Sequence, residues 1–196
     1  EQAAGKMATF AESNTDLRLP FFGWSTTAEA YQSVNPAAIV LLAPLIGILF
    51  TRRAGKFPST IMKFVIAVLI VGLSALMLGY GFQIWPGGQD LSPWWFLALV
   101  YVIQTVAELF LTPVGLATTT ALAPKSFASQ AMGLWWLSVA TGQGVAGFVI
   151  AQTEHLSDAT YYYGLGVATL LMALVLFAVA PWTQRQMADV ETATAE

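Results

Sequence analysis

Five long apolar runs, separated by short polar segments, dominate the pattern of this 196-residue chain. About 20 apolar residues are enough to cross a hydrocarbon core of about 30 Å as a helix, because each residue adds about 1.5 Å. The runs cover residues 26–50, 61–82, 94–123, 128–151 and 160–180. The pattern therefore predicts five complete membrane-spanning helices in an all-α fold.

Residues that start or break helices lie at or within several of these runs. Thr26 and Glu29 have the spacing of a capping box, which predicts the start of the first helix. The second run ends in a turn with the sequence Pro-Gly-Gly at residues 86–88. Within the first run Asn35 is followed by Pro36, and proline removes a backbone donor and crowds the preceding turn. A broken helix that lines a transport site and a harmless kink are both compatible with this break.

Composition agrees with a membrane protein, because 57% of the residues are hydrophobic, 10% are charged and the mean hydropathy is +0.66. The chain has no cysteine, and its one histidine, His155, lies in a polar loop, so we predict neither a metal site nor another cofactor. The formal net charge of −3 and the acidic residues at 189–196 argue against nucleic-acid binding. An enzyme in the membrane would need a nucleophile with a base, or metal ligands, inside the runs. We therefore predict a protein that is not an enzyme.

Lysine and arginine are distributed unevenly between the two sides of the predicted bundle. If the loop at residues 51–60 is cytoplasmic, six of them share that side and only Arg18 lies clearly opposite. The six are Arg52, Arg53, Lys56, Lys63, Lys125 and Arg185. Positive residues favour the cytoplasmic side, so we expect a multi-pass protein of the cell membrane with a cytoplasmic C-terminus. Residues 1–12 have no initiator methionine and no signal-peptide pattern, and we interpret them as the end of a helix whose beginning is missing.

Glu108 is the single carboxylate of the third run and lies near its centre. Helix geometry therefore places it near the bilayer midplane, where an ionisable group usually faces a bundle interior and marks a substrate or proton site. Polar or small residues recur around it at steps of three and four, which gives the helix one polar face. They are Gln104, Thr105, Thr112, Gly115 and Thr119. For the amide and hydroxyl groups, interhelical hydrogen bonding without a binding role is an alternative.

Two features of the fourth run are open to more than one interpretation. Ser138, Gly142 and Ala146 form a stripe of small residues, which is typical of a close helix contact. Trp135 and Trp136 belong either to an aromatic belt at the membrane interface or to the wall of a binding pocket.

The most specific motif is the segment 108–116, which reads Glu-Leu-Phe-Leu-Thr-Pro-Val-Gly-Leu. Shorter motifs accompany it at residues 1–2, 10–12, 14–16, 31–36, 41–44, 122–124 and 133–138. In this order they resemble the proton-coupled oligopeptide transporter family, whose signature is Glu-Leu-x-x-Ser-Pro-Val-Gly-Leu. The resemblance extends from Glu1 to about Gly147, and the last run adds only hydropathy.

The resemblance implies the fold of the major facilitator superfamily, in which twelve helices form two halves of six. This chain would be the C-terminal six-helix bundle with its first helix truncated. Residues 1–24 would then be the end of helix seven and an extracellular loop. Residues 25–183 would form helices eight to twelve, and residues 184–196 a cytoplasmic tail.

The resemblance also implies proton-driven symport of di- and tripeptides across the cytoplasmic membrane. Its partners would be the peptide, protons, the lipid bilayer and the missing N-terminal half, which in this family supplies the cations that hold the peptide carboxylate. The fragment alone is therefore not expected to transport. A major facilitator transporter for another small solute, such as nitrate, an amino acid or a peptide-like compound, is the alternative, because resemblance fixes fold better than substrate.

The resemblance further assigns residues to the site. Glu108 matches the glutamate that meets the peptide amino terminus, and Asn35 an asparagine that assists it. Trp135 and Ser138 match residues beside the pocket, and Glu1 matches a glutamate that takes part in proton coupling together with Glu108. Lys6 departs from the family pattern, and it would either pair with a carboxylate or extend outward to the membrane surface.

Overall fold

The computed structural model describes residues 6–18, 25–52 and 58–193, and these residues form six α-helices. They are α1 (Lys6–Ser13), α2 (Val34–Arg52), α3 (Thr60–Ile84), α4 (Trp94–Leu122), α5 (Ala128–Gln152) and α6 (Asp158–Ala193). All except α1 are long and apolar enough to cross a membrane, α2 together with the short turn before it. The prediction of five spanning helices is therefore confirmed. Three residues named above, Glu1, Arg53 and Lys56, lie outside the described residues.

The first span begins as a 3₁₀ helix over Ala28–Ser33 and becomes an α-helix at Val34. Thr27 is its N-cap and makes no side-chain capping bond, so the predicted capping box is wrong. The reason is the tighter first turn, in which the Ala30 amide already bonds the Thr27 carbonyl at 3.1 Å. Pro36 is the third residue of α2, so its missing amide hydrogen falls in the first turn, where amides have no acceptor within α2 itself. The change of helix type thus lies just before Asn35.

The central helix of the bundle is α4, and α3 packs along both α6 and α4. Small residues let the first pair approach closely, because a Cβ atom on Gly166 of α6 would lie 3.1 Å from the carbonyl oxygen of Gly72 in α3. The helices α2 and α5 lie against α4. Large apolar side chains remain exposed on α2, α5 and α6, as expected for surfaces that face lipid or another part of a membrane protein.

The last helix is longer than the apolar run predicts. We expected it to end at about Ala180, but α6 passes through Pro181 and continues to Ala193. Proline removes one backbone donor, and the following residues include the good helix formers glutamine, methionine and alanine.

The buried core lies at the end of the bundle where α1 meets α3, α4 and α6. Phe10 of α1 is fully buried, and its ring contacts Phe82 edge-on at 4.6 Å between centroids. Phe96 lies on another side of the same ring at 6.0 Å, and Phe82 stacks on Tyr162 at 5.6 Å. One short helix thus fills the gap between three spanning helices.

The chain that follows α1 is held by the loop between α3 and α4. The amide of Ser92 donates to the Asn14 carbonyl at 2.7 Å, and the amide of Asp16 donates to the Ser92 carbonyl at 2.9 Å. The side-chain amide of Asn14 donates to the Trp85 carbonyl at 2.8 Å. Gly87, at a φ of 97°, passes so close to α1 that a Cβ atom would lie 2.9 Å from the Ser13 carbonyl oxygen. The end of α1 is therefore fixed by backbone contacts and by the side chain of Asn14.

Lys6 pairs with a carboxylate, which answers the question that its sequence position left open. Its ammonium nitrogen lies 2.5 Å from Oδ1 of Asp158, the first residue of α6, and 4.7 Å from the ring centroid of Tyr161. The exposed fractions of the two charged side chains are 16% and 36%. The pair therefore links the first and last helices in partial shelter from water.

We predict that Lys6→Gln lowers the free energy of unfolding of the full-length protein by about 1 kcal/mol, because a partly sheltered pair retains part of its Coulomb energy. Asp158→Asn should have a similar effect. The double variant should lose no more than either single one, because both remove the same interaction. Equilibrium unfolding in detergent measures all three, and strictly additive losses would show that the pair contributes nothing.

Candidate functional site

The candidate site is built around one side-chain hydrogen bond between α2 and α4. The amide nitrogen of Asn35 donates to Oε2 of Glu108 at 3.1 Å, although the two residues are 73 positions apart. Asn35 is the second residue of α2, and Glu108 lies in the middle of α4. The packing of α2 against α4 brings them together. Asn35 is half-buried and Glu108 is exposed.

The hydrogen-bond acceptor positions that Asn35 leaves free on Glu108 decide what this carboxylate can bind. A carboxylate has about four acceptor positions, and Asn35 is the donor that the described residues supply to one of its oxygens. Among the lysine and arginine side chains that the structure describes, none forms an ion pair with it; they are Lys6, Arg18, Arg52, Lys63 and Arg185. The group can therefore accept hydrogen bonds from a further cation, such as a primary ammonium, or hold a proton.

The polar face of α4 divides into groups with different roles. Thr105 is fully buried, and its hydroxyl donates to the Tyr101 carbonyl at 2.8 Å within the same helix. This bond lies within α4 and joins no neighbouring helix, so it does not fit interhelical hydrogen bonding, while a contact with substrate stays a prediction. Gln104, Thr112 and Thr119 are half-buried and remain on the side of α4 that carries Glu108.

The two tryptophans of α5 occupy different environments. Trp135 is half-buried and packs on Gly115 of α4, while the side chain of Trp136 is 58% exposed. Ser138 is exposed, and its hydroxyl donates to the Trp135 carbonyl at 2.7 Å. The two tryptophans thus differ in exposure and contacts, and the role of Trp135 in a pocket wall stays a prediction.

Gly115 has a structural role that the sequence interpretation did not assign to it. A Cβ atom on this residue would lie 2.0 Å from Cη2 of Trp135, so the indole rests directly on the helix backbone. The signal in the sequence that could have indicated this role was a glycine on an otherwise polar helix face.

The described part of the chain contains no group of three or more histidine, cysteine, aspartate or glutamate side chains that could hold a metal ion.

Comparison with known proteins gives consistent matches. A family model described as the POT family matches residues 1–164. The di-/tripeptide transporter of Lactococcus lactis subsp. lactis (strain IL1403) is 30% identical over 193 residues, which cover 97% of this chain and 38% of that relative. Two solved POT family transporters, one in complex with 5-aminolevulinic acid and one with a thioalcohol-conjugated peptide, each have a TM-score of 0.82 and 32% identity.

The solved structures match over 92% of this chain and 37% of their own length. The chain thus spans less than two fifths of the length of these relatives. The structural match confirms the predicted class, an all-α membrane protein with a fold of the major facilitator type.

Proposed function

This chain belongs to the POT family, and from this premise we propose that the whole protein carries di- and tripeptides across the cytoplasmic membrane together with protons. The chain is then the C-terminal half of a carrier, and it is not an enzyme. The bond between Asn35 and Glu108 is the observation that carries the proposal, because it joins a carboxylate and an amide donor from two helices at membrane depth. The name of the Lactococcus lactis relative supports the choice of substrate.

In this mechanism Glu108 binds the ammonium group of the peptide. Charge-assisted hydrogen bonds between an ammonium and a carboxylate are about twice as strong as bonds between neutral groups. Asn35 donates to Oε2 and thereby orients the carboxylate, while the other acceptor positions stay available for the substrate. A protonated carboxyl group no longer attracts the ammonium in this way. Proton and peptide therefore compete for Glu108, and carrying both in one cycle needs a further proton acceptor, for which Glu1 is the proposed residue.

Transport further requires the part of the protein that completes the site from the other side. A second bundle supplies the cations that hold the peptide carboxylate, and rocking of the two bundles about the midplane exposes the site alternately to each side. Trp135 and Ser138 line the pocket in this arrangement. Glu1 shares the proton coupling with Glu108, on the basis of its position in the family pattern alone.

The orientation of the protein follows from its basic residues. Arg52 ends α2, Lys63 lies in the first turn of α3, and Arg185 lies near the far end of α6. Two further basic residues fall in the loop between α2 and α3. We propose that this side faces the cytoplasm and that the C-terminus is cytoplasmic.

The alternative substrates differ in the charge that they present to Glu108. Nitrate is an anion and has no group that pairs with a carboxylate. A peptide-like amine remains a second candidate, because one of the matched POT transporters was solved with 5-aminolevulinic acid. Such a compound offers the same ammonium group as a peptide, and only competition experiments separate the two.

We predict that proteoliposomes containing the full-length protein accumulate labelled dialanine when an inward proton gradient is imposed. One pH unit supplies about 1.4 kcal/mol, which corresponds to at most about tenfold accumulation for each coupled proton. Excess trialanine should compete, whereas alanine and nitrate should not. The controls are protein-free liposomes and a gradient collapsed with a protonophore.

Two results would overturn this proposal. Uptake that is insensitive to the gradient would remove proton coupling. Uptake of 5-aminolevulinic acid but of neither peptide would assign the protein to the second candidate substrate.

A further inference from the structure

Trp135 rests on Gly115 in a contact that admits no other residue at this position of α4. A Cβ atom there would meet three atoms of the indole at 2.0, 2.5 and 2.8 Å, whereas ordinary contacts begin at 3.4 Å. The atoms belong to a rigid ring rather than to the end of a flexible chain. Any side chain at position 115 would therefore move the indole by more than 1 Å, away from α4.

The contact lies on the same face of α4 as Glu108. Gly115 follows Glu108 by seven residues, which is nearly two helical turns and about 10 Å along the axis. An extended tripeptide has a maximum length of about 10 Å, at 3.3–3.6 Å per residue. The part of α4 that the indole covers therefore lies about 10 Å from Glu108 along the helix axis, which equals the length of an extended tripeptide.

We propose that Gly115 is a positioning residue that holds the indole of Trp135 against α4 and thereby sets the room available to the third residue of a bound peptide. The inference rests on the proposed function. With the ring held against the helix, the space beyond it stays open for a tripeptide. A ring displaced from α4 enters that space, so the longer peptide loses contacts while a dipeptide keeps its own.

Other glycines of the same protein provide a test of the simpler explanation, in which Gly115 only allows close helix packing. A Cβ atom on Gly72 of α3 would meet the side chain of Leu170 in α6 at 2.9 Å. This contact lies between two helices that do not carry Asn35, Glu108 or Trp135. Gly72→Ala is therefore a control that adds the same methyl group at another helix contact, with milder crowding and no route to the candidate site.

The experiment measures KM and the maximal rate for dialanine and trialanine, with the full-length protein in proteoliposomes. For Gly115→Ala we expect KM for trialanine to rise roughly tenfold relative to KM for dialanine, the effect of a misplaced methyl-sized group in a pocket. The maximal rates should change less than KM. The ratio of the two KM values should stay unchanged in Gly72→Ala, even if that variant is less stable.

A second substitution separates positioning from a general packing defect. Trp135→Ala removes the ring that a side chain at position 115 would displace. The double variant should therefore have the same KM ratio as Trp135→Ala alone. If Gly115→Ala does not insert into the membrane, Trp135→Leu tests the same wall, and its KM ratio should shift in favour of trialanine.

Three outcomes would overturn the inference. In the first, the KM ratio stays unchanged in Gly115→Ala. In the second, Gly115→Ala changes the KM ratio by the same factor whether or not Trp135 is present. In both cases the unmodified protein still carries dialanine, and the proposed function stands. If the unmodified protein carries neither peptide, the proposed function fails and this inference fails with it.

Discussion

Replacement of Glu108 by glutamine in the full-length protein is expected to abolish proton-driven uptake of dialanine. Glutamine has nearly the same shape and still accepts the hydrogen bond from Asn35, so the helices should pack as before. It carries no charge for the peptide ammonium and cannot take up a proton. A lost hydrogen bond to a charged group costs about 3 kcal/mol, which corresponds to an affinity lower by roughly 100-fold.

The initial rate of gradient-driven uptake measures this effect most directly. Glu154→Gln is the matched control, because it makes the same chemical change in an exposed turn after α5. That control should retain the rate of the unmodified protein. An uptake rate in Glu108→Gln above about one tenth of the original would mean that the lost interaction is worth less than 1.4 kcal/mol. The carboxylate would then have no central role in transport.

The elements that the sequence predicts well are those fixed by local composition. Each spanning helix needs about 20 apolar residues, and such a run has no other stable arrangement in a bilayer. The importance of Glu108 follows from the same reasoning, because its depth is set by its position within the run. Neither conclusion depends on knowing which helices are neighbours.

The contacts within the site were less accessible to sequence reasoning. The bond between Asn35 and Glu108 depends on how α2 packs against α4, and the periodicity of each helix does not specify its partner. Sequence reasoning selected Asn35 as an assistant of Glu108 through family resemblance alone. Gly115 belonged to the predicted polar face, but its contact with Trp135 comes from the neighbouring helix α5.

Local hydrogen bonding explains two further differences. The hydroxyl of Thr105 bonds to the carbonyl of the preceding turn, an option that every threonine in a helix has. The predicted capping box at Thr26 and Glu29 requires an α-helical first turn, whereas the chain begins this span with a 3₁₀ helix. The two helix types need similar residues, so the local pattern did not distinguish them.

The ring of Phe10 connects α1 with three spanning helices, and its loss should be the most destabilising single change among the contacts described. It is fully buried, and the rings of Phe82 and Phe96 pack against two of its sides. Gly81 contributes to the same fit, because a Cβ atom there would meet Phe96 at 2.5 Å and Phe10 at 3.3 Å. The rigid backbone and rings around this position leave little room to close a cavity.

We therefore predict that Phe10→Ala lowers the free energy of unfolding of the full-length protein by about 2–4 kcal/mol. The buried change from phenylalanine to alanine costs about 3–5 kcal/mol in water-soluble proteins, and part of that cost disappears when the unfolded ring meets lipid or detergent instead of water. Phe177→Ala on α6, where the ring is 56% exposed, makes the same substitution without a cavity and should cost less than about 1 kcal/mol. Equilibrium unfolding in detergent compares the two variants. Equal losses would mean that the cluster around Phe10 does not hold α1 in the bundle.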